Sequence, residues 1–267
     1  MNLSEIISKI KTKKWKNLDE NVILEKIDLF LKRNPKTDIE KLTEKEIRPI
    51  IKFVRQELHR SYGAFQSDVY KRNRLLNELK KETPNNERNK EQEINEIKLK
   101  ILKTHSSTRE RLDLYDEIKK DLANLIKNKI ILDLGCGLNP LMFDENKIIA
   151  AEFNKDDVDF LNEYFSFANK KSKAILLDLT KVENIEKLKE YKVDVIFAWK
   201  LFDLLNSNII EAIMNLDAVK IVSFSTKTLG NRKMNSPKRK WFENRLNAMN
   251  LDYETARFES EIFYIIK

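Results

Sequence analysis

Cysteine, histidine and glycine are all scarce in this chain of 267 residues. The single cysteine, Cys136, excludes a disulfide framework and a cysteine zinc site. The two histidines, His59 and His105, are too few for a histidine metal cluster, so no metal is expected. No apolar run reaches the ~18 residues that a membrane span needs. The N-terminal stretch MNLSEIISKIKTKKWK is amphipathic and lacks the apolar block of a secretory signal. Together these absences predict a soluble, cytoplasmic protein with no membrane partner.

Only four glycines occur, at 63, 135, 137 and 230, and two of them are nearly adjacent. A glycine-poor chain that places two so close needs close backbone approach there. Charge, in contrast, is abundant, with 35% charged residues and a formal net charge of +8. All of that excess lies in residues 1–110, which hold 26 Lys and Arg against 18 Asp and Glu. Such a surplus suits a polyanion such as nucleic acid, and equally a solvated lysine-rich surface.

The first ~105 residues carry apolar positions at helical spacing. Leu3, Ile6, Ile7 and Ile10 form one set, and Ile23, Ile27, Phe30 and Leu31 a second. Ile47, Ile50, Ile51, Val54 and Leu58 form a third. Thr83–Glu93 offers nothing apolar and reads as a loop or frayed helix start, after which Ile94, Ile97 and Ile101 resume a helical face. Ser107-x-x-Glu110 reads as a capping box that opens the next helix. The domain boundary is accordingly placed near 104, giving an all-helical domain over 1–104 and a second domain over 105–267.

From residue 130 short apolar runs alternate with helical patterns: Ile130–Leu134, Lys147–Glu152, Ala174–Leu177, Val193–Trp199 and Val219–Phe224. This alternation predicts an α/β fold with a parallel sheet and helices on both faces. Tyr253–Arg257 and Glu261–Ile266 lie so close that they must pair antiparallel. A doubly wound, Rossmann-like sheet ending in an antiparallel hairpin is the layout of class I methyltransferases.

The most informative motif is Asp133-Leu134-Gly135-Cys136-Gly137, which ends the first strand. Open α/β sheets bind ligands there, beyond the carboxyl ends of their strands. Glu152, at the end of the second strand, lies about 20 residues on, where an acid grips a ribose diol. A dinucleotide site would want a third glycine and a helix under its pyrophosphate; here Asn139-Pro140 comes next instead. The acid before the glycines suits S-adenosylmethionine, whose amino acid end is cationic and carries no phosphate. Leu177-Asp178 ends the third strand, placed for an adenine. A fold retaining no cofactor and a nicotinamide site are the alternatives. Cys136 reads as a packing residue, since no base adjoins it in sequence.

Several segments together resemble one family, the Arm/Rmt-type aminoglycoside-resistance 16S rRNA (guanine-N7) methyltransferases. They are His105–Leu112 (HSSTRERL), Asp133–Leu141 (DLGCGLNPL), Phe197–Leu201 (FAWKL) and Val222–Gly230 (VSFSTKTLG). Ser8–Trp15 and Gly63-Ala64-Phe65 are similar too, so the likeness runs along nearly the whole chain in one order. The resemblance implies a helical rRNA-docking domain before a catalytic domain that holds S-adenosylmethionine. By position, the cofactor contacts it implies are Phe65, His105, Ser106, Ser107, Arg109, Gly135, Glu152, Leu177, Asp178 and Leu201. Asp133 and Gly137 join them from the glycine motif. Arg109 would meet the methionine carboxylate, for which a bidentate guanidinium is suited.

Methylation of guanine N7 needs no general base, which fits the absence of an evident acid–base pair. The product ring is cationic, so Lys200 reads as a substrate-backbone or structural contact rather than a catalyst. Trp199 or Phe202 either stacks on the target base or packs in the core. Lys9, Lys11, Lys13, Lys14, Lys227, Arg232, Lys233, Arg239 and Lys240 are the candidate phosphate contacts. The expectation is thus a monomeric enzyme acting on the rRNA of the small ribosomal subunit. Its rivals are a methyltransferase for tRNA or for an rRNA adenine, and a non-catalytic RNA-binding protein that keeps the fold.

Overall fold

The computed structural model describes residues 3–11, 15–16, 18, 20–39, 42–59, 69–81, 87–143, 145–168, 170–227, 234 and 239–267, with backbone only at 69 and 87–91. The chain divides into two compact units, residues 1–67 with 154–156, and residues 68–153 with 157–267.

The first unit is helical. α1 (Leu3–Ile10) buries Ile6, Ile7 and Ile10, and α2 (Glu20–Arg33) buries Val22, Ile23 and Ile27. α3 (Glu44–Leu58) buries Ile47, Ile50, Val54 and Leu58. Each set recurs every three or four residues, so each helix turns one apolar stripe inward. Phe30 and Phe53 meet edge to face at 5.4 Å and lock α2 to α3. α3 starts at a true capping box, in which Thr43 and Glu46 satisfy each other's backbone.

The second unit starts with α4 (Val69–Lys81) and α5 (Glu87–Leu102). Leu75, Leu76 and Leu79 of α4 and Ile97, Ile101 and Leu102 of α5 join the core beneath the sheet. The compact units therefore part at 67/68, earlier than the change in sequence pattern near 104 suggests. α6 (Ser106–Arg111) and α7 (Tyr115–Ile126) come next.

The seven strands are β1 (Ile130–Leu134), β2 (Lys147–Glu152), β3 (Lys173–Leu176), β4 (Val195–Trp199), β5 (Val219–Ser225), β6 (Tyr253–Arg257) and β7 (Glu261–Ile266). They lie in the order β3-β2-β1-β4-β5-β7-β6. The first five are parallel and β7 is antiparallel to both its neighbours. Alternate residues serve opposite faces. Ile131, Phe197, Trp199, Ile221 and Phe263 pack with α4, α5, α7 and α8 (Lys155–Phe167). Leu132, Leu134, Ile196, Val222 and Tyr264 pack with α9 (Val182–Lys187), α10 (Ser207–Met214) and α11 (Lys240–Ala248). Burial on both faces explains why these strands read as continuous apolar runs.

This is the doubly wound fold that the alternation predicts, with the expected β6–β7 hairpin. The strand order reverses on either side of β1, so its carboxyl end, beside that of β4, is the switch point where such sheets open a crevice. Among the described residues no helix is long and apolar enough to cross a membrane, and no cluster of acids, histidines and cysteine forms a metal site.

Candidate active site

The loop after β1 turns on two left-handed glycines, with φ +59° at Gly135 and +51° at Gly137. A side chain would be tight at Gly135 and would displace its neighbour at Gly137. A Cβ on Gly135 would lie 3.0 Å from Leu201 Cδ1, and one on Gly137 2.6 Å from His105 Cε1. The loop is pinned to β2: Gly135 N donates to Ala151 O at 2.9 Å, and Gly137 N donates to Glu152 Oε2 at 2.9 Å. Glu152 Oε1 accepts from Phe153 N at 2.8 Å. A half-buried carboxylate thus stands at the end of β2, against the glycine backbone. At the end of β3, Leu177 N donates to Glu152 O at 2.8 Å, and Asp178 is folded into a turn by Thr180. Gly135, Gly137, Glu152, Leu177, Asp178 and Leu201 are therefore gathered along one edge.

The segment between the loop and β2 decides between ligand classes. Asn139–Met142 forms a 3₁₀ turn, with Pro140 inside it, and the chain enters β2 without a helix. The helix that a dinucleotide site places directly after its glycine loop is replaced here by this turn, and no Lys or Arg lies between Ile131 and Phe143. A pyrophosphate would therefore find no helix dipole in the segment that directly follows the loop. A ligand with a ribose diol and a cationic end suits the carboxylates present.

Asp133 is placed differently from a surface ligand. Its side chain is buried, and Oδ2 accepts from Asn139 Nδ2 at 2.9 Å. Tyr115 Oη donates to Asn139 Oδ1 at 2.9 Å. Burial pushes the Asp133 carboxyl up to about 8, against the opposing pull of Asn139 and Arg111. Asp133 is thus held at the base of the loop by Asn139.

His105 caps α6. Its Nδ1 lies 3.0 Å from Thr108 Oγ1 and accepts from Thr108 N. This corrects the capping box expected at Ser107: the helix is capped two residues earlier, Ser107 is buried within it, and Glu110 points elsewhere. Burial, aided by the Arg111, Arg72 and Lys200 charges, pulls the His105 pKa down to about 3, so the ring is neutral at physiological pH. Ser106 is half-buried and Arg109 is exposed on the same short helix.

A buried polar network joins this helix to the ends of β4, β5 and β7. Arg111 Nε donates to Glu261 Oε2 at 2.6 Å, and Ser223 Oγ donates to Glu261 Oε1 at 2.6 Å. Burial alone would raise the Glu261 pKa, but the Arg111 and Lys200 charges outweigh it and hold the carboxyl below its usual range. Lys200 Nζ lies 3.7 Å from Glu261 Oε2 and donates to Glu110 Oε2 at 2.7 Å. Lys200 itself has φ +55°, a left-handed conformation that costs a non-glycine residue about 1–2 kcal/mol. Such strain marks sites where geometry matters more than stability. The sequence contained Arg111 and Glu261 without announcing them; the one signal was a charged residue opening the apolar run EIFYII.

Trp199 and Phe202 are core residues. Trp199 stacks on Phe197 at 4.7 Å, and Phe202 meets Phe242 at 5.5 Å. Of the candidate phosphate contacts, Lys13, Lys14, Arg232 and Lys233 lie outside the described residues, as does the candidate cofactor contact Phe65. Lys9 pairs with Glu44, Lys11 with Glu20 and Lys227 with Glu259, all partly exposed. Lys240 is exposed. Arg239 has partners within the fold: its guanidinium reaches Asp203 Oδ2 at 3.0 Å and Ser225 O at 3.3 Å, over the Phe224 ring. A basic stripe that the sequence reading missed runs along α3, where Arg48, Lys52 and Arg55, with His59 next on the same face, border an open groove of about 720 Å³ with Lys9. Their spacing of four, three and four residues puts them on one helix face.

The model of the ribosomal RNA methyltransferase (FmrO) family matches residues 35–265. The chain belongs to that family. Among curated relatives, a 16S rRNA (guanine(1405)-N(7))-methyltransferase from Proteus mirabilis is 35% identical over 99 residues, 34% of this chain and 35% of the relative. One of the same name from Frankia casuarinae is 23% identical over 190 residues, 63% of each chain. The chain thus aligns with less than two thirds of the length of either. Among solved structures, that of the 16S rRNA methyltransferase RmtF in complex with S-adenosyl-L-homocysteine superposes with a TM-score of 0.77 at 20% identity, over 100% of this chain and 99% of that one. At that identity the likeness shows the fold alone.

Proposed function

We propose that this FmrO-family protein transfers a methyl group from S-adenosylmethionine to N7 of a guanine in the decoding region of small-subunit rRNA. The guanine is the one corresponding to position 1405, which the names of both relatives specify. The observation that carries the reading is the edge built by Gly135, Gly137, Glu152 and Leu201, where a 3₁₀ turn rather than a helix follows the glycine loop. Glu152 would take the ribose hydroxyls, Leu177 and Asp178 the adenine, and the Gly135–Gly137 backbone the methionine end. Arg109, with the His105–Ser107 turn, would face its carboxylate. When bound, S-adenosylmethionine supplies a methyl group on a sulfonium.

The rest falls to the chain. Guanine N7 offers a lone pair and holds no proton, so no side chain need act as a base. The neutral His105 ring adds no positive charge beside the site. Catalysis is then largely positioning, with reacting atoms held ~3–3.5 Å apart, in surroundings that tolerate a ring turning cationic. The helical region before residue 104 would supply docking, its α3 stripe contacting phosphates without reading sequence. A methyl and a charge on the Hoogsteen edge would remove an acceptor from the decoding site, and an aminoglycoside docked there would bind less well.

The test is methyl incorporation from labelled S-adenosylmethionine into purified small subunits, large subunits and tRNA. Label confined to the small subunit is expected. Label in tRNA alone would replace the substrate, and none in any RNA, with no calorimetric uptake of the cofactor, would favour a binding protein.

A further inference from the structure

We infer that Lys200 receives a backbone phosphate of the target nucleotide in place of Glu110, and so positions that nucleotide beside the glycine loop. The inference rests on the RNA reading above and assigns a role within that same site.

Four observations carry it. First, the fully buried Glu261 already has its counter-ion in Arg111, at 2.6 Å. Lys200, at 3.7 Å, is a second cation on the same carboxylate, so one positive charge is left over inside the network. Second, that charge is met by Glu110, whose side chain is 57% exposed while that of Lys200 is 10% exposed. A carboxylate in water is an exchangeable partner, because a solvent-exposed ion pair holds weakly. Third, Lys200 is placed by its backbone. Its N–H donates to Ser223 O at 2.9 Å, and its left-handed φ turns the chain sharply where β4 ends. Fourth, the next residue, Leu201, packs its side chain against Gly135, which ties the turn that carries Lys200 to the glycine loop.

A lysine is a point charge suited to phosphate. The base itself is the wrong ligand for it, since a ring becoming cationic would be repelled by an ammonium. A target drawn out of its stack must have its backbone held as well as its base, and an anion at Lys200 would do that. Glu110 then occupies the phosphate position until RNA arrives.

The experiment uses the full chain with small ribosomal subunits, comparing wild type, Lys200→Met, Lys200→Arg and Glu110→Gln. Subunit binding is measured across a salt series, with KM for subunits, kcat, and cofactor affinity by calorimetry. Lys200→Met should lower the log–log salt slope by about 0.7–0.9 and raise KM, with cofactor affinity within about twofold. Lys200→Arg should recover most of the binding. Glu110→Gln, which removes the competing anion, should bind subunits several-fold tighter. An unchanged slope in Lys200→Met, or no tightening in Glu110→Gln, would overturn the assignment. Should Lys200→Met fail to fold, the Glu110→Gln result decides alone. Binding is read whether or not methyl transfer occurs, so failure of the wild type to methylate would remove the functional reading and leave this test standing.

Discussion

The imidazole of His105 lies where a side chain at residue 137 would have to go: a Cβ on Gly137 would be 2.6 Å from Cε1 and 2.7 Å from Nε2. The helix cap and the glycine loop are thus fitted to one another. Gly137→Ala must displace that ring and also strain a backbone at φ +51°, a combined cost of about 1–3 kcal/mol. The expected outcome is a lower melting temperature and cofactor affinity reduced at least tenfold. Affinity equal to that of the wild type would show that the loop relaxes freely.

Glu152 is the residue on which cofactor binding should depend most simply. Glu152→Gln keeps an acceptor for Gly137 N–H, yet loses the charge. Glu152→Ala loses both. Calorimetry should find the alanine variant weaker than the glutamine variant, and both weaker than wild type, while subunit binding in the absence of cofactor stays near wild type.

Much of this edge was legible in the sequence. The alternation of apolar runs located the five parallel strands, and the close spacing of the last two runs located the hairpin. Gly135, Gly137 and Glu152 announced themselves by type and spacing. The cap was misread, since Ser107 and Glu110 match a local pattern that His105 outcompetes once its ring is buried under the loop. The Asp203 partner of Arg239 lies 36 residues away in sequence, and only the fold brings the two together. Glu261 and Arg111 meet across 150 residues, and no local pattern encodes such a pair.

His105 makes stability depend on pH in a definite direction. The unfolded chain protonates this ring near pH 6.5, whereas the folded chain resists until about pH 3. Between those values the unfolded state binds more protons, so stability is full above pH 6.5 and falls as pH is lowered. Melting curves from pH 7 to pH 4 should show a steeper decline in wild type than in His105→Gln. Parallel curves would place the titration elsewhere.

Asp133 works in the opposite sense. Its folded carboxyl holds a proton up to about pH 8, and the unfolded one loses it near 3.8. Stability from this group is complete below 3.8 and lost as pH rises through 8. A cationic ligand nearby favours the ionised form, so cofactor binding at pH 7 should release protons. Calorimetry in buffers of different ionisation enthalpy should detect that release in wild type and lose it in Asp133→Asn, which retains an acceptor for Asn139. Equal proton counts in the two proteins would contradict the prediction.

Arg239→Ala should lower stability without changing the salt slope of subunit binding, because its charge is held by Asp203. Arg48→Gln with Lys52→Gln, on α3, should do the reverse: a slope reduced by up to about 0.7–0.9 per lost phosphate contact, with the melting temperature nearly unchanged.

The most direct test of the central claim is to map the methylated atom. Small subunits incubated with the protein and S-adenosylmethionine yield rRNA that is reduced with borohydride and treated with aniline, which cuts only where N7-methylation has weakened a glycosidic bond. The prediction is a single cut, at the guanine corresponding to 1405, dependent on both protein and cofactor. Methyl incorporation without that cut, or a cut at another guanine, would contradict it.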